Sequence, residues 1–346
     1  MKFNRLGNTG LFVSELGLGT MTFGENRDYP LLGGVGQQEA NAFVSHALES
    51  GVNLFDTADG YSLGSSEQIL GKALRNSGVQ RESYLIATKA FLAMGSGPND
   101  AGSSRGHLLN AAKGSLKRLG VDYIDIYQLH GFDPATPIEE SLRAIDDLVR
   151  QGLVRYVGVS NWAAWQIAKA LGISERLGLT RFSSLQAYYS VVGRDLEQEI
   201  APMLLSEGVG LIVWSPLAGG FLSGKRQRDM PEPEGSRRSA MQFPPIDGTR
   251  GFETLDVLRS IADAHDASVA QISLAWLLSQ RAVSSVLIGA KRMDQLEDNL
   301  KAAELQLTQH ELNLIARVSG LPANYPRWML DFQGAERNSL LVQSNW

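Results

Sequence analysis

The sequence contains no cysteine, and this absence removes several kinds of site at once. A chain without thiols cannot form disulfides, thiolate metal sites or a cysteine nucleophile. Its five histidines are scattered, and no two of them are four residues apart, the spacing of a helical zinc site. No metal site is therefore predicted, and metal-dependent hydrolysis is the weakest of the catalytic classes considered.

Long apolar runs and a strong charge of one sign are also lacking. Residues 1–5 hold no apolar signal core, and no run in the chain is long enough to span a bilayer. The net charge of −5 argues against nucleic acid or an anionic membrane as the main partner. We expect a cytoplasmic protein that acts on a small molecule, and the sequence leaves its oligomeric state open.

Short apolar runs typical of strands alternate along the chain with helical patterns. The hydrophobic content of 43% is enough for a large core, and no linker divides the 346 residues, so we expect one domain over 1–346. The alternation predicts a (β/α)8 barrel, an α/β fold also called a TIM barrel, preceded by a β-hairpin at 3–6 and 11–14. Candidate strands are 16–19, 53–56, 85–88, 124–129, 154–160, 184–186, 211–214 and 286–288. Candidate helices are 37–50, 66–75, 106–119, 138–151, 163–171, 200–207 and 269–280. Long loops at 25–36, 94–105 and 226–250 should lie at the carboxyl ends of the strands, where they shape specificity or cover the site.

Four polar residues lie at the ends of the second, third and fourth barrel strands or just beyond. Asp56 and Lys89 end apolar runs, His130 follows one, and Tyr61 comes five residues after Asp56. Barrel enzymes place their chemistry at this face, so the fold should bring the four together. A free tyrosine has a pKa of about 10, and a nearby ammonium such as that of Lys89 is expected to lower it. Asp56 would hold Lys89 charged, and His130 would hydrogen-bond a substrate oxygen.

Taken singly, each of these residues has a simpler explanation, such as a helix cap, a packed ring or a solvated charge. A second catalytic reading is an aldolase-type barrel in which Lys89 forms a Schiff base. Such a lysine needs a depressed pKa, and Asp56 beside it would raise the pKa instead. The four residues together favour a site that polarises and protonates a carbonyl.

At these residues the sequence resembles the aldo-keto reductases. Residues 51–61 (GVNLFDTADGY) are similar to the second-strand signature of that family, and residues 87–89 (ATK), 127–130 (YQLH) and 158–161 (GVSN) match its later motifs. The resemblance runs from about residue 5 to about residue 303 and continues into 325–329 (YPRWM). It implies an NADP-dependent carbonyl reductase, working reversibly on aldehydes or ketones, with Asp56, Tyr61, Lys89 and His130 as catalytic residues. Some relatives are channel-associated subunits that hold the cofactor and turn over slowly, and this stays the alternative.

The resemblance also implies how a nicotinamide cofactor would bind. The stretch 17–22 (GLGTMT) lacks the third glycine of a Rossmann fingerprint, so an extended cofactor across the barrel mouth is expected instead. The nicotinamide end would contact Gly19, Thr20, Met21, Asp56, Ser160, Asn161, Gln186 and Trp214. The pyrophosphate would pass Ser215, Pro216, Leu217, Gly219 and Lys225. The adenosine end would meet Gly289, Lys291, Arg292, Gln295, Asp298 and Asn299.

Two neighbouring cations decide the expected cofactor. Lys291 and Arg292 follow the eighth strand, where they would pair with a 2′-phosphate, and arginine binds phosphate bidentately. An NAD-selective site would more typically carry an acid for the ribose hydroxyls. NADPH is therefore preferred over NADH.

Aromatic residues near the predicted loops suggest a pocket for a bulky or cyclic ketone. Such rings often only pack loops, and the long segments at 29–36 and after Trp214 depart from the family pattern. The physiological substrate is not readable from the sequence. The candidate substrate contacts are Phe23, Phe91, Phe132, Trp162, Trp328 and Met329.

Overall fold

Eight parallel strands close into a barrel at the centre of the chain. The computed structural model describes residues 1–25, 33–228, 230–232 and 236–338. In this part of the chain the strands are β1 (Phe3–Arg5), β2 (Phe12–Ser14), β3 (Leu16–Gly19), β4 (Leu54–Asp56), β5 (Leu85–Ala90), β6 (Ile124–Leu129), β7 (Val154–Ser160), β8 (Ser184–Tyr188), β9 (Gly210–Trp214) and β10 (Val283–Ile288). From β3 to β10 each strand pairs with the next, and β10 pairs with β3 to close the ring.

Helices surround the barrel and cover the outer face of its strands. They are α1 (Gln37–Glu49), α2 (Ser65–Asn76), α3 (Arg105–Leu119), α4 (Ile138–Arg150), α5 (Ala164–Leu177), α6 (Ile200–Glu207), α7 (Arg237–Ala240), α8 (Gly248–Ala264), α9 (Val269–Leu278), α10 (Met293–Leu300), α11 (Gln309–Ser319) and α12 (Arg327–Asn338). Every residue of β6 and β10 is buried because both faces of a barrel strand are covered. This explains why both faces of the barrel strands carry apolar residues, with a few buried polar side chains among them.

The N-terminal hairpin closes the bottom of the barrel. Strands β1 and β2 pair antiparallel, and Leu6 and Val13 beside them pack on side chains from the barrel strands, including Leu54 and Ile126. Gly7 makes this contact possible, because it has a φ of +56° and a Cβ there would lie 2.6 Å from the carbonyl oxygen of Gly208. The opposite end, at the carboxyl ends of the strands, is left for the site.

The predicted (β/α)8 fold with its hairpin is confirmed, but several helices were not foreseen. The predicted loop at 226–250 in fact contains α7 and the start of α8, and α8, α10, α11 and α12 were not predicted as helices. Asp247 caps α8 by accepting a hydrogen bond from the Arg250 backbone N–H, so the loop interpretation is wrong over this part. The loop at 94–105 is irregular as predicted, whereas most of the loop at 25–36 lies outside the described residues.

Candidate active site

The four predicted catalytic residues, Asp56, Tyr61, Lys89 and His130, lie together at the mouth of the barrel, where the carboxyl ends of its strands meet. We call these four residues the tetrad. Asp56 ends β4, Lys89 lies in β5, and His130 directly follows β6. Tyr61 begins a tight turn of four residues between β4 and α2. Parallel pairing of β4, β5 and β6 aligns their carboxyl ends, and this brings residues far apart in sequence into contact.

A buried ion pair forms the base of the site. The Lys89 Nζ donates to Asp56 Oδ1 at 2.6 Å and to the Thr57 carbonyl oxygen at 2.8 Å, and Lys89 is completely buried. Burial lowers the pKa of Lys89, but the negative charges of Asp56 and of an ionised Tyr61 outweigh it, so the net pKa lies above its usual value. Lys89 is therefore a fixed positive charge, which does not suit a Schiff-base nucleophile.

Tyr61 sits over this charge with its hydroxyl in reach of it. The Lys89 Nζ lies 3.3 Å from the Tyr61 hydroxyl oxygen, and Tyr61 as a residue is half-buried. Burial raises the pKa of Tyr61 by more than the Lys89 ammonium lowers it, so the net pKa is above 10. The expected net lowering is wrong in this structure, because desolvation outweighs the ammonium. At neutral pH the group is a phenol and has a proton to donate.

A strained turn holds Tyr61 in place. Ser62, Leu63 and Gly64 have φ values of +48°, +50° and +87°, a left-handed conformation that non-glycine residues rarely adopt. The Ser62 hydroxyl donates to the Phe23 carbonyl oxygen at 3.0 Å and so anchors the turn to the loop after β3. The sequence gives no sign of this strain, which is typical of positions where function constrains the backbone.

His130 completes the mouth as a neutral imidazole. Its ring meets the Tyr61 ring edge to face, with centroids 5.6 Å apart. Burial, together with the charge of Lys89, lowers the pKa of His130 to about 3. Its Nδ1 is buried and has no hydrogen-bond partner among the described residues. A neutral imidazole here can hydrogen-bond an oxygen at the mouth without adding charge.

Two glutamine amides converge on the other oxygen of Asp56. Gln186 Nε2 donates to Asp56 Oδ2 at 2.7 Å, and Gln128 Nε2 lies 3.3 Å from the same atom. Gln186 was predicted to contact the cofactor, whereas Gln128 was missed. The only signal for Gln128 in the sequence is its place two residues before His130, which puts it on the same inward face of β6.

Comparison with known proteins places this arrangement in a family. The profile of the Aldo/keto reductase family matches residues 15–319. The chain belongs to the aldo/keto reductase family. A probable voltage-gated potassium channel subunit beta of Arabidopsis thaliana is 38% identical over 313 residues, which are 88% of this chain and 92% of that protein. A protein of the same name from Oryza sativa subsp. japonica is 36% identical, with the same two shares covered. A putative subunit of that name from Schizosaccharomyces pombe is 36% identical over 87% of this chain and 88% of its own length.

Aldo/keto reductases generally use a nicotinamide cofactor, and the polar groups beside the tetrad fit a carboxamide. The Ser160 hydroxyl is buried without a hydrogen-bond partner among the described residues, so it can serve a ligand. Asn161 is exposed at a φ of +60°, and its Oδ1 accepts from the Trp214 indole N–H at 3.0 Å. Thr20 is instead fully buried, and both its backbone N–H and its hydroxyl donate to the Asp56 carbonyl oxygen. Gly19 and Met21 beside it are half-buried.

Trp214 presents a flat ring in an aromatic stack at the end of β9. Phe243 stacks on it with an interplanar angle of 15° and a centroid distance of 5.8 Å, while Tyr188 meets it at 5.3 Å. Phe243 belongs to the segment between α7 and α8, so this segment reaches over the mouth. The contact of Phe243 with Trp214 was not predicted, because it depends on how a long connection folds back.

The turn after Trp214 is suited to an extended ligand. Ser215 and Ala218 have positive φ values of +51° and +50°, and the Gly219 N–H donates to the Ser215 hydroxyl at 3.1 Å. Pro216 is buried, Leu217 is half-buried and Lys225 is exposed. Successive backbone N–H groups in a turn can form a concavity that binds an anion.

At the far end of the mouth, the cations are arranged differently from the prediction. Arg292 is exposed and forms a bidentate pair with Asp294, at 2.9 and 2.7 Å. Lys291 is exposed, and partial burial and then the charge of Arg237 lower its pKa. Arg237 also acts on the pKa of Tyr61, and its Nε is buried without a partner among the described residues. Arg237, which the sequence analysis missed, therefore joins Lys291 as a candidate anion-binding group.

The remaining predicted cofactor residues surround α10. The side chain of Gln295 accepts the Lys291 backbone N–H at 3.0 Å, and Asn299 is buried. Both oxygens of Asp298 already accept hydrogen bonds, at 2.7 Å each, from Ser268 and Gln271 at the start of α9. Gly289 leaves space beside the Gly19 backbone. Contacts of these residues with a cofactor stay predictions.

The predicted substrate residues separate into three groups. Phe23 and Trp162 are packed in the hydrophobic core, with Trp162 between the rings of Phe132 and Phe182. Phe91 and Phe132 are half-buried near the site, and the Phe91 ring lies against Gly131. Trp328 and Met329 lie in α12, where the exposed Trp328 packs on Tyr325. As substrate contacts, all six stay predictions.

Within the described residues, no group of three or more histidine and acidic side chains is placed to hold a metal ion. None of the helices described is long and apolar enough to cross a membrane.

Proposed function

We propose that this chain is an NADPH-dependent carbonyl reductase that converts an aldehyde or ketone to an alcohol, reversibly. The observation that carries the proposal is the Tyr61 hydroxyl, which is held 3.3 Å from the buried Lys89 ammonium, while the Tyr61 ring lies against that of His130. The bound cofactor would supply a hydride to the carbonyl carbon. Everything else in the reaction falls to side chains of the tetrad.

Tyr61 gives its proton to the carbonyl oxygen as that oxygen gains charge. Because the pKa of Tyr61 lies above its usual value, the phenol keeps its proton at neutral pH until the carbonyl oxygen gains charge. The phenolate left behind is stabilised by Lys89, whose own charge is fixed by Asp56. His130 hydrogen-bonds the same substrate oxygen as a neutral group and so fixes its position.

The residues around the tetrad support an extended nicotinamide cofactor. Ser160, Asn161 and Gln186 would bind the carboxamide, Trp214 would stack on the ring, and the turn at 215–219 would pass the pyrophosphate. Lys291 and Arg237 are cations that could pair with a 2′-phosphate, and this supports NADPH over NADH. Arg292, already paired with Asp294, contributes less.

Half-buried rings at the mouth support a bulky or cyclic carbonyl as substrate. Phe91 and Phe132 flank the tetrad strands β5 and β6, and Phe243 covers Trp214. Aromatic walls favour flat, apolar molecules over small sugars. A cytoplasmic location, with neither nucleic acid nor membrane as partner, belongs to the same proposal.

The test is consumption of NADPH and NADH, measured in parallel against aromatic aldehydes, α-dicarbonyls, sugars and polycyclic ketones. The proposal predicts turnover of at least one carbonyl, with NADPH preferred. Failure to bind either cofactor would overturn it.

The names of the relatives favour a second candidate, a cofactor-holding subunit of an ion channel that turns over slowly. The tetrad is compatible with both functions, since a slow enzyme keeps the same residues. Tight NADPH binding with turnover that is very slow for every carbonyl in the panel would favour the subunit. Rapid turnover would favour the reductase.

A further inference from the structure

Gln128 is a buried amide inside the barrel that the catalytic tetrad does not include. It lies in β6 and is completely buried, at the level of Asp56 and Gln186. Its Nε2 lies 3.3 Å from Asp56 Oδ2, and its Oε1 lies 3.4 Å from Gln186 Nε2. Gln128 thus touches both the carboxylate that fixes Lys89 and the amide expected to meet the nicotinamide.

The neighbouring strand makes room for this side chain. Gly158 of β7 pairs with Gln128 in the sheet register. A Cβ at Gly158 would lie 2.5 Å from the Ser184 hydroxyl and 3.4 Å from Gln128 Cγ. Any larger residue would crowd this layer, so the glycine preserves the space in which the two glutamines reach Asp56.

Hydrogen-bond chemistry then fixes the direction of both amides. A carboxylate only accepts, so Gln186 and Gln128 must turn their NH2 groups toward Asp56 Oδ2. With its Nε2 shared between Asp56 and the Gln128 carbonyl oxygen, Gln186 turns its own Oε1 away from both. That oxygen can accept a hydrogen bond from an amide NH2, the donor group that a nicotinamide carboxamide carries.

We propose that Gln128 is a positioning residue that holds Asp56 against Lys89 and holds the Gln186 amide in the orientation that receives the cofactor carboxamide. The inference rests on the proposed function, since it assigns Gln128 a role in that same site. Gln128 acts only through Asp56 and Gln186.

Two substitutions separate this role from simple packing. Gln128→Met keeps the length of the side chain and removes both hydrogen-bonding groups, so Gln186 becomes free to rotate. Hydrogen bonds to charged groups carry enough free energy that we expect NADPH affinity or turnover to fall about 10- to 100-fold. Gln128→Glu keeps the shape but, once ionised, can no longer donate to Asp56. The turnover of Gln128→Glu should therefore fall further as the pH rises. We expect no such fall in the pH profile of wild type or of Gln128→Met.

The matched control is Tyr127→Phe, one residue earlier in β6. Tyr127 faces the other side of the strand, and its hydroxyl donates to the Leu108 carbonyl oxygen at 3.1 Å, away from the tetrad. Its removal should leave NADPH affinity and the pH profile of turnover as in wild type. Thermal unfolding of all variants shows whether they fold. If Gln128→Met does not fold, Gln128→Glu tests the role by itself.

The experiment measures NADPH dissociation constants by fluorescence and turnover from pH 5 to pH 9. Weaker NADPH binding in Gln128→Met, with a new pH-dependent fall in Gln128→Glu, supports the role. A wild type that binds and reduces, with both Gln128 variants matching Tyr127→Phe, overturns the role of Gln128 alone. A wild type that does not bind NADPH overturns the proposed function and this role with it. If wild type binds NADPH without turnover, the NADPH affinity of Gln128→Met decides the role of Gln128. Weaker binding than in wild type supports the role, and equal binding overturns it.

Discussion

At the residue scale, the site depends on a charge pair that is completely enclosed. Lys89 and Asp56 lie 2.6 Å apart, and the pair is surrounded by backbone and amide groups. Removing one partner leaves the other buried without compensation, which costs more than the pair itself contributes. The same enclosure prevents Lys89 from becoming a nucleophile.

Lys89→Met should therefore lower the free energy of unfolding by about 3–5 kcal/mol. The reason is the Asp56 carboxyl, which would be left buried beside the two glutamine amides without its counter-ion. Urea unfolding at neutral pH measures the change. Adding Asp56→Asn to Lys89→Met removes the stranded charge, so the double variant should be more stable than Lys89→Met. A double variant that is less stable would contradict this account.

Asp59, a buried carboxyl three residues after Asp56, makes the free energy of unfolding depend on pH. Burial, and then the charge of Glu67, raise the pKa of Asp59 to about 7 from its usual 3.8. The folded state holds this proton more tightly than the unfolded state does, so Asp59 favours folding below pH 4. That contribution is lost as the pH rises through 7. The free energy of unfolding of Asp59→Asn, relative to that of wild type, should therefore rise from pH 4 to pH 8. The expected rise is on the order of a few kcal/mol. Urea unfolding of both proteins at pH 4 and at pH 8 measures the change. A difference between variant and wild type that is the same at both pH values would refute the raised pKa.

Residue positions were predictable where the fold aligns them and not elsewhere. Asp56, Lys89 and His130 were found because parallel strands place their ends side by side, whatever the detail of packing. Gln128 was missed because its importance depends on an amide from β8, 58 residues further along. Arg237 was missed because the position of α7 depends on how a long connection folds.

At the element scale, the connection between β9 and α8 determines how the mouth is covered. Arg238 in α7 donates to the Pro244 carbonyl oxygen at 2.8 Å, and this ties the short helix to the segment that carries Phe243. The sequence suggested only a loop here, because glycines and prolines interrupt any helical period. The whole of α8 was missed as well, whereas helices with a clear apolar stripe, such as α4, were found.

Arg237→Met should weaken NADPH binding about tenfold and NADH binding much less. The expected reason is the loss of one of two cations facing a 2′-phosphate, which NADH lacks. Dissociation constants for both cofactors, measured at low and at high salt, test this. Arg292→Met is the matched control, because that guanidinium is exposed and already paired with Asp294. A larger loss of NADPH affinity in Arg292→Met would reverse the assignment.

At the scale of the whole molecule, the hairpin and the site occupy opposite ends of one barrel. The hairpin seals the bottom with apolar side chains, and the tetrad lies at the top. Stability and chemistry are therefore separable. Gly7→Ala should lower the free energy of unfolding by about 2 kcal/mol, because it adds a clash at a positive φ. The pH profile of turnover should not change, and a shifted profile would show that the two ends are coupled.

The central claim is that Tyr61 donates the proton in carbonyl reduction. The most direct measurement compares Tyr61→Phe with Tyr189→Phe, a tyrosine whose hydroxyl donates to Glu197 rather than to substrate. NADPH binding should persist in both variants. We predict that turnover of the best carbonyl falls by about 10²- to 10⁴-fold in Tyr61→Phe and stays near wild type in Tyr189→Phe. Full turnover in Tyr61→Phe would contradict the account.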